Sequence, residues 1–339
     1  MDVIDRVLLN QIQTRFPVEA NPYRTLGGLA NVTEQEAYEH IQGLRREGVI
    51  RRLGGVFDSH KLGYTSTLCA AKVPEDKIPI LTDFLAALPG VTHNYLRNHE
   101  YNMWFTVIAP EQAGVERILT QAREISGIQA IYSLPALRMF KIKVDFDLTA
   151  KSDDQSSPDN IGLEPGGEQP STELTNEVNY KLSVEDVALV RILQGDLPAS
   201  LTPFADLADE VQSTEEEVLA RVRNLLQVGA MRRFGAVLRH QKAGFVANAM
   251  GVWCVPEQRA VEVGKIMASF KEVSHCYQRP TLVDWPYNLF TMVHGRSVDD
   301  CKAVIERIAQ ATGVWEYGML FSTKELKKTS MQYFMEEEE

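Results

Sequence analysis

Thr33–Phe57 reads TEQEAYEHIQGLRREGVIRRLGGVF, and Thr214–Leu238 reads TEEEVLARVRNLLQVGAMRRFGAVL. Thr33, Glu36, Leu44, Gly48, Arg51, Arg52, Gly54 and Val56 recur as Thr214, Glu217, Leu225, Gly229, Arg232, Arg233, Gly235 and Val237. Upstream, Pro22 and Leu26 recur as Pro203 and Leu207; downstream, Gly63 recurs as Gly244. Further on, VTHNYLR (Val91–Arg97) recurs as VSHCYQR (Val273–Arg279), and YNMWF at Tyr101 recurs as YNLFT at Tyr287. The offset grows between these last two pairs, so the second copy carries extra residues, within PTLVDWP (Pro280–Pro286). Self-similarity of this extent marks a duplicated unit.

Each unit divides into two modules. Thr33 followed by Glu36 is a capping box, and Gly48 is a C-cap. Ile4, Val7, Leu8 and Ile12 share one face at helical spacing. Helix, Pro-containing turn, short helix, turn and capped helix read as a helix-turn-helix, with VIRRLGGVF leaving it as a strand. The rest alternates strand, helix, strand, strand, helix, strand, the order of the split βαβ unit. The expected fold is α+β: two tandem copies of a helix-turn-helix module plus a ferredoxin-like β-α-β-β-α-β domain, each sheet having its helices on one face. The expected boundaries are 1–64 and 65–148 for the first copy and 181–245 and 246–335 for the second. Residues 149–180, rich in Ser, Pro, Gly, Asp and Glu, read as a flexible linker.

At 339 residues, with 44% hydrophobic and 24% charged side chains, the composition is that of a globular protein with several cores. No apolar run reaches the ~20 residues of a membrane span, and the acidic start does not read as an export signal. Cys69, Cys254, Cys276 and Cys301 form no metal or disulfide spacing, which fits free thiols in the cytoplasm. A formal net charge of −11 opposes a broad nucleic-acid footprint. The second helices of the two helix-turn-helix modules begin with Glu34, Glu36 and Glu39, and with Glu215, Glu216 and Glu217, where a DNA reader needs phosphate-compatible groups. The modules therefore read as scaffolds, and DNA binding is not expected.

Alternation along a strand puts His93, Tyr95 and Arg97 on one face, and His275, Tyr277 and Arg279 on the equivalent face. Imidazole, phenol and guanidinium side by side suit a pocket for a polyanion with acid chemistry at one point. The alternative is a polar subunit interface. The segment RRFGAVLRHQKAGF gathers Arg232, Arg233, Arg239, His240 and Lys242, whereas the first copy has Asp58 and Ser59 opposite Arg239 and His240. Trp104, Phe105, Trp285, Tyr287, Phe290, Trp315 and Tyr317 are core residues or walls for a flat ligand. His40, His99 and His294 read as exposed or loop residues.

Helix-turn-helix followed by β-α-β-β-α-β resembles the Lrp/AsnC family. GVIRRLGGVFDSHKLGY, THNYLR, YNMWF and LRMFKIKVDFDL, with RRFGAVLRHQKAGF, SHCYQRP, YNLFTMVHG and KELKKTSMQYF, resemble its siroheme decarboxylase branch in a fused two-subunit form. The resemblance spans nearly everything outside the linker. It implies decarboxylation of the C12 and C18 acetates of siroheme to 12,18-didecarboxysiroheme, in haem d1 or alternative haem biosynthesis, without an added cofactor; the siroheme iron belongs to the substrate. On that basis His275, His240 and Tyr277 are the catalytic candidates. Arg232, Arg233, Arg239 and Arg279 are expected to bind substrate, with His93, Tyr95 and Arg97 secondary. No metal is expected in the protein alone, although His240 or His275 is a possible ligand of the siroheme iron. The halves are expected to pair with each other, with a further homo-oligomer or other haem d1 pathway proteins as partners, and the second half to be the main catalytic one. The competing classes are a transcription regulator and a tetrapyrrole carrier or sensor.

Overall fold

The computed structural model describes residues 1–142, 172–173, 181–238 and 247–335. The first helix-turn-helix comprises α1 (Val3–Thr14), α2 (Pro22–Ala30) and α3 (Glu34–Arg46), followed by β1 (Ile50–Phe57). The first ferredoxin-like unit contains β2 (Thr65–Ala71), α4 (Ile78–Ala87), β3 (Val91–Arg97), β4 (Met103–Ala109), α5 (Gln112–Ser126) and β5 (Ile131–Pro135), continued by β6 (Arg138–Ile142). A two-residue β7 (Thr172–Glu173) precedes the second copy. That copy has α6 (Val184–Leu193), α7 (Pro203–Glu210), α8 (Glu215–Gln227) and β8 (Met231–Leu238). It ends with β9 (Ala247–Trp253), α9 (Ala260–Ser269), β10 (Val273–Gln278), β11 (Leu289–Gly295), α10 (Val298–Thr312) and β12 (Tyr317–Lys328).

The expected capping boxes form: Thr33 accepts from the Glu36 amide and Thr214 from the Glu217 amide, and each glutamate closes back on its cap. Glu36 and Glu217 thus complete the helix starts. Apolar faces of α1–α3 and α6–α8 meet in one shared core that includes Leu8, Ile12, Phe16, Ile41, Val190, Phe204 and Phe234. β1 and β8 pair antiparallel across the junction, with Gly54 opposite Gly235.

Two separate four-stranded sheets were the simplest expectation from sequence. Instead the last strand of each half crosses to the other half. β5 pairs with β2, the chain turns at Ala136 and Leu137, and β6 then pairs with β10. β12 pairs through Tyr317–Phe321 with β9 and through Ser322–Lys328 with β3. The result is a ten-stranded sheet in the order β5-β2-β4-β3-β12-β9-β11-β10-β6-β7. The exchange gives β3 and β10, which would otherwise be edge strands of their own halves, a second hydrogen-bonding neighbour.

Helices α4 and α5 cover one core, with Phe105, Val107 and Leu119, and α9 and α10 cover its counterpart, with Trp253, Val293 and Ile305. The helix-free faces meet in a cluster of Trp104, Met250, Trp285, Phe290 and Leu320. Trp285 comes from the extra PTLVDWP segment. It is buried against Trp104 at 5.2 Å between ring centroids, and the neighbouring Asp284 pairs with Lys72 of the first half at 2.6 Å. All four cysteines are free, and among the described residues no helix is long and apolar enough to cross a membrane.

Candidate active site

Between the β1–β8 ribbon and the helix-free sheet faces lies a cavity of about 600 Å³, within the usual size of small-molecule sites. Both His-x-Tyr-x-Arg motifs line it, so two stretches 182 positions apart build one chamber. A register shift between Val91 and His93, and another between Val273 and His275, mark a bulge at the start of each motif. The bulges leave Val91 and Val273 in the helix-side cores and bring His93 and His275 to the cavity side.

The motifs adopt the same internal geometry. His93 stacks on Tyr95 and His275 on Tyr277, each with ring centroids 6.3 Å apart. The guanidinium carbon of Arg97 lies 5.7 Å from the Tyr95 ring centre, and that of Arg279 lies 4.9 Å from the Tyr277 ring centre. Their outer contacts differ. The Tyr95 hydroxyl donates to Glu325 at 3.3 Å, whereas the Tyr277 hydroxyl makes no hydrogen bond among the described residues. Burial, then the charges of Lys328 and Arg51, push His93 down to about 4. Burial, then His294 and Arg232, push His275 down to about 3. Both imidazoles are neutral near pH 7.

The structure separates the arginines into two sets. Arg97 donates to the Leu320 carbonyl at 2.8 Å, and Arg279 donates to the Leu134 carbonyl. Each therefore holds a strand of the opposite half's sheet. Arg52 donates to the Gln194 carbonyl beyond α6, and Arg233 to the Gln13 carbonyl in the last turn of α1. These guanidiniums satisfy helix-end acceptors and complement the negative end of the helix dipole. Burial lowers Arg52, Arg97 and Arg279 to about 10, which leaves them cationic. Arg233 and Arg279 were both expected to hold substrate; the backbone contact of Arg279 fits the polar-interface alternative for its motif, whereas no signal in the sequence pointed to that of Arg233.

The first arginine of each pair behaves differently. Arg232 forms a two-pronged pair with Asp58, at 3.0 Å from Nε and 2.9 Å from Nη2. Asp58 is the residue that corresponds to Arg239 in the other copy, so the repeat does not supply the same carboxylate for Arg51. Arg51 donates to Ser330 at 3.3 Å. Arg239 and His240, with Lys242, lie outside the described residues.

Trp104 and Phe290 wall the cavity, whereas Phe105 lies in the helix-side core and Trp315 is exposed. Trp285 and Tyr287 belong to the aromatic cluster behind the wall. His60, Lys328 and Tyr333 also line the cavity, and none was singled out from sequence as a site residue. His60 could have been noticed because it follows the double arginine closely. The tail beyond β12 crosses the cavity: the Tyr333 hydroxyl bonds Ser59 at 2.8 Å, and the Tyr333 amide donates to Gln194 at 2.6 Å. Of the remaining histidines, His40 pairs with Asp5 at 2.8 Å, and His99 Nδ1 accepts from the Tyr101 amide at 3.0 Å. His294 lines the cavity, contrary to the expectation of a loop position.

Residues 5–51 and 186–232 match the siroheme decarboxylase NirDL-like HTH domain, and residues 61–141 and 242–327 match the AsnC-like ligand binding domain. A siroheme decarboxylase of Hydrogenobacter thermophilus is 36% identical over 331 residues, covering 97% of this chain and 95% of that protein. A siroheme decarboxylase beta subunit of Methanosarcina barkeri is 47% identical over 147 residues, covering 43% of this chain and 97% of the subunit. The crystal structure of the siroheme decarboxylase NirDL in co-complex with an iron-uroporphyrin III analogue superposes with a TM-score of 0.73 at 32% identity, covering 98% of this chain and 95% of that one. With relatedness along essentially its whole length and both halves in the same order, the chain belongs to the siroheme decarboxylase family.

Proposed function

We propose that this chain removes the carboxyl groups of the C12 and C18 acetates of siroheme, yielding 12,18-didecarboxysiroheme for haem d1 or alternative haem biosynthesis. The observation that carries the proposal is the single cavity in which both His-x-Tyr-x-Arg motifs, cationic side chains and flat aromatic walls converge, in a member of this family. Siroheme is a flat polyanion, and these are the groups that would receive one. With Arg233 and Arg279 engaged by backbone carbonyls, Arg51 and Arg232 are the better-placed holders of propionates and untouched acetates. His93, Tyr95 and Arg97 complete the first-half wall.

The reacting acetate sits away from those cations, because a tight clamp would stabilise the carboxylate more than the transition state. As CO₂ departs, its bonding electron pair passes toward the macrocycle, and a side chain delivers a proton to the remaining carbon. His275 is the first candidate for that acid, with Tyr277 second because its hydroxyl is uncommitted among the described residues. His240 keeps its place as an alternative acid or iron ligand, to be resolved by substitution. The chemistry calls for no organic cofactor beyond the substrate's own ring and iron. A cytoplasmic location is proposed with it.

The test is anaerobic incubation of the purified chain with siroheme, followed by mass spectrometry. Loss of two carboxyl groups is expected. Siroheme that is bound and recovered intact would refute decarboxylation and favour a carrier or sensor. His275→Ala should still bind siroheme but lose turnover by at least ~10²-fold.

A further inference from the structure

We infer that His294, acting through Ser274, positions His275 and resupplies its proton, so that the second half is the protonating side of the cavity. The inference rests on the function proposed above and assigns parts within it. The bulge between Val273 and His275 turns the Ser274 side chain toward two imidazoles at once. Ser274 Oγ lies 2.9 Å from His275 Nδ1, 2.9 Å from His294 Nε2 and 3.3 Å from the Met292 carbonyl oxygen. His294 lines the cavity from β11, two positions beyond Met292.

The first half lacks this line. Thr92 Oγ1 stands 3.0 Å from His93 Nδ1, matching Ser274 and His275. The residue in the place of His294 is Ile108, which cannot carry a proton. The two histidines thus share their first hydrogen bond and differ in what stands behind it.

The chemistry gives that difference a use. The groups that act electrostatically on His275 are His294 on β11, Arg232 on β8, His93 on β3 and Arg279 just beyond β10, and each adds to burial in disfavouring an imidazolium at His275. A neutral imidazole that releases its Nε2 proton needs one returned at Nδ1. In the proposed step the C–CO₂⁻ bond breaks, CO₂ leaves, and the electron pair stays with the acetate carbon and the ring. The carbon takes the Nε2 proton of His275. The Ser274 hydroxyl proton moves to His275 Nδ1, and the Nε2 proton of a doubly protonated His294 moves to Ser274 Oγ. After product release, solvent protonates His275 Nε2, and the Nδ1 proton returns through Ser274 to His294. Each cycle releases one CO₂ and consumes one solvent proton. His294 and Ser274 are positioning residues, since the group that meets the substrate is His275.

The test compares wild type with His294→Ala, Ser274→Ala and Ser274→Thr under anaerobic single turnover with siroheme. Binding is followed by absorbance titration and each decarboxylation by mass spectrometry. His294→Ala and Ser274→Ala should bind siroheme normally and slow one decarboxylation by ~10²-fold, so that a monodecarboxylated species accumulates. Ser274→Thr should retain the rate, as Thr92 makes the same contact in the first half, and free imidazole should restore His294→Ala. A His294→Ala enzyme that processes both acetates at the wild-type rate would overturn the relay while leaving the decarboxylase intact. So would a Ser274→Thr variant as slow as Ser274→Ala. A wild-type chain that binds siroheme without releasing CO₂ would instead overturn the proposed function, and the relay with it.

Discussion

Arg97 donates to the carbonyl oxygen of Leu320 at 2.8 Å, tying a side chain of the first half to the strand that the second half lends it. Arg279 makes the reciprocal contact to Leu134. Arg97→Ala should therefore weaken the pairing of the halves and leave a carbonyl without its charged donor, at a cost of about 2 kcal/mol. Urea titration of the intact chain would measure it. An unchanged midpoint for Arg97→Ala would mean that the guanidinium is there for ligand rather than architecture.

Asp58 and Arg232 give a second prediction. Burial raises the Asp58 carboxyl, but Arg232 and the Lys61 amide more than offset that and hold it below the usual carboxylate range. Asp58→Asn would release Arg232 from its ion pair. Binding of an anionic iron tetrapyrrole should then tighten several-fold, while Arg232→Ala should weaken it about tenfold, with a reduced salt dependence. Fluorescence-quenching titrations at two ionic strengths would read both; equal affinities in all three proteins would remove Arg232 from the anion-binding set.

The glycines of the two RRxGxV segments have a steric reason to be glycine. A Cβ at Gly235 would run into the Ile12 carbonyl oxygen, and one at Gly54 into the carbonyl oxygens of Gly195 and Leu193. The clash is with backbone, so neither site relaxes by a rotamer change. Gly235→Ala and Gly54→Ala should each lower stability by ~2–3 kcal/mol or more through backbone displacement. Differential scanning calorimetry would show it, and wild-type melting of either variant would contradict the close approach.

The two histidines of the repeated motif set an acid limit. Folded-state values of about 4 for His93 and about 3 for His275 lie below the ~6.5 of an unfolded histidine. The unfolded chain therefore binds protons that the folded chain refuses. Stability from this source is complete above about pH 6.5 and declines as pH falls toward 4 and then 3. A loss of about 2 kcal/mol between pH 7 and 5 is expected, roughly half the full linkage value because both rings border a cavity open to water. Denaturant titrations across this range should show a shallower slope for the His93→Gln/His275→Gln double variant. Parallel slopes would mean that the two rings titrate normally in the folded chain.

Much of this was legible in the one-dimensional pattern. Thr33 with Glu36 and Thr214 with Glu217 announced their helices because a capping box is a local hydrogen-bond exchange within four residues. Strand alternation put each His, Tyr and Arg on a common face for the same reason: strand periodicity is a property of adjacent residues. Repetition exposed the duplication, and words such as SHCYQRP and KELKKTSMQYF carried the family. Glutamates at the second-helix starts argued against a DNA reader, and two of them close caps instead.

Tertiary structure decided what these local pieces do together. The exchange of β6 and β12 depends on hydrogen bonds to distant strands, which no window of sequence contains. The same holds for Arg233, whose partner Gln13 lies in the other copy. His294 read as an exposed or loop residue in the sequence, and only the folded sheet brings Ser274 between its ring and that of His275. The sequence by itself determined two helix-turn-helix and ferredoxin-like units bearing a repeated polar triad. Only packing across the pseudo-symmetric junction decided that the two triads share one cavity, and that their two histidines differ in what stands behind them, because those facts are set by contacts between residues far apart in the chain.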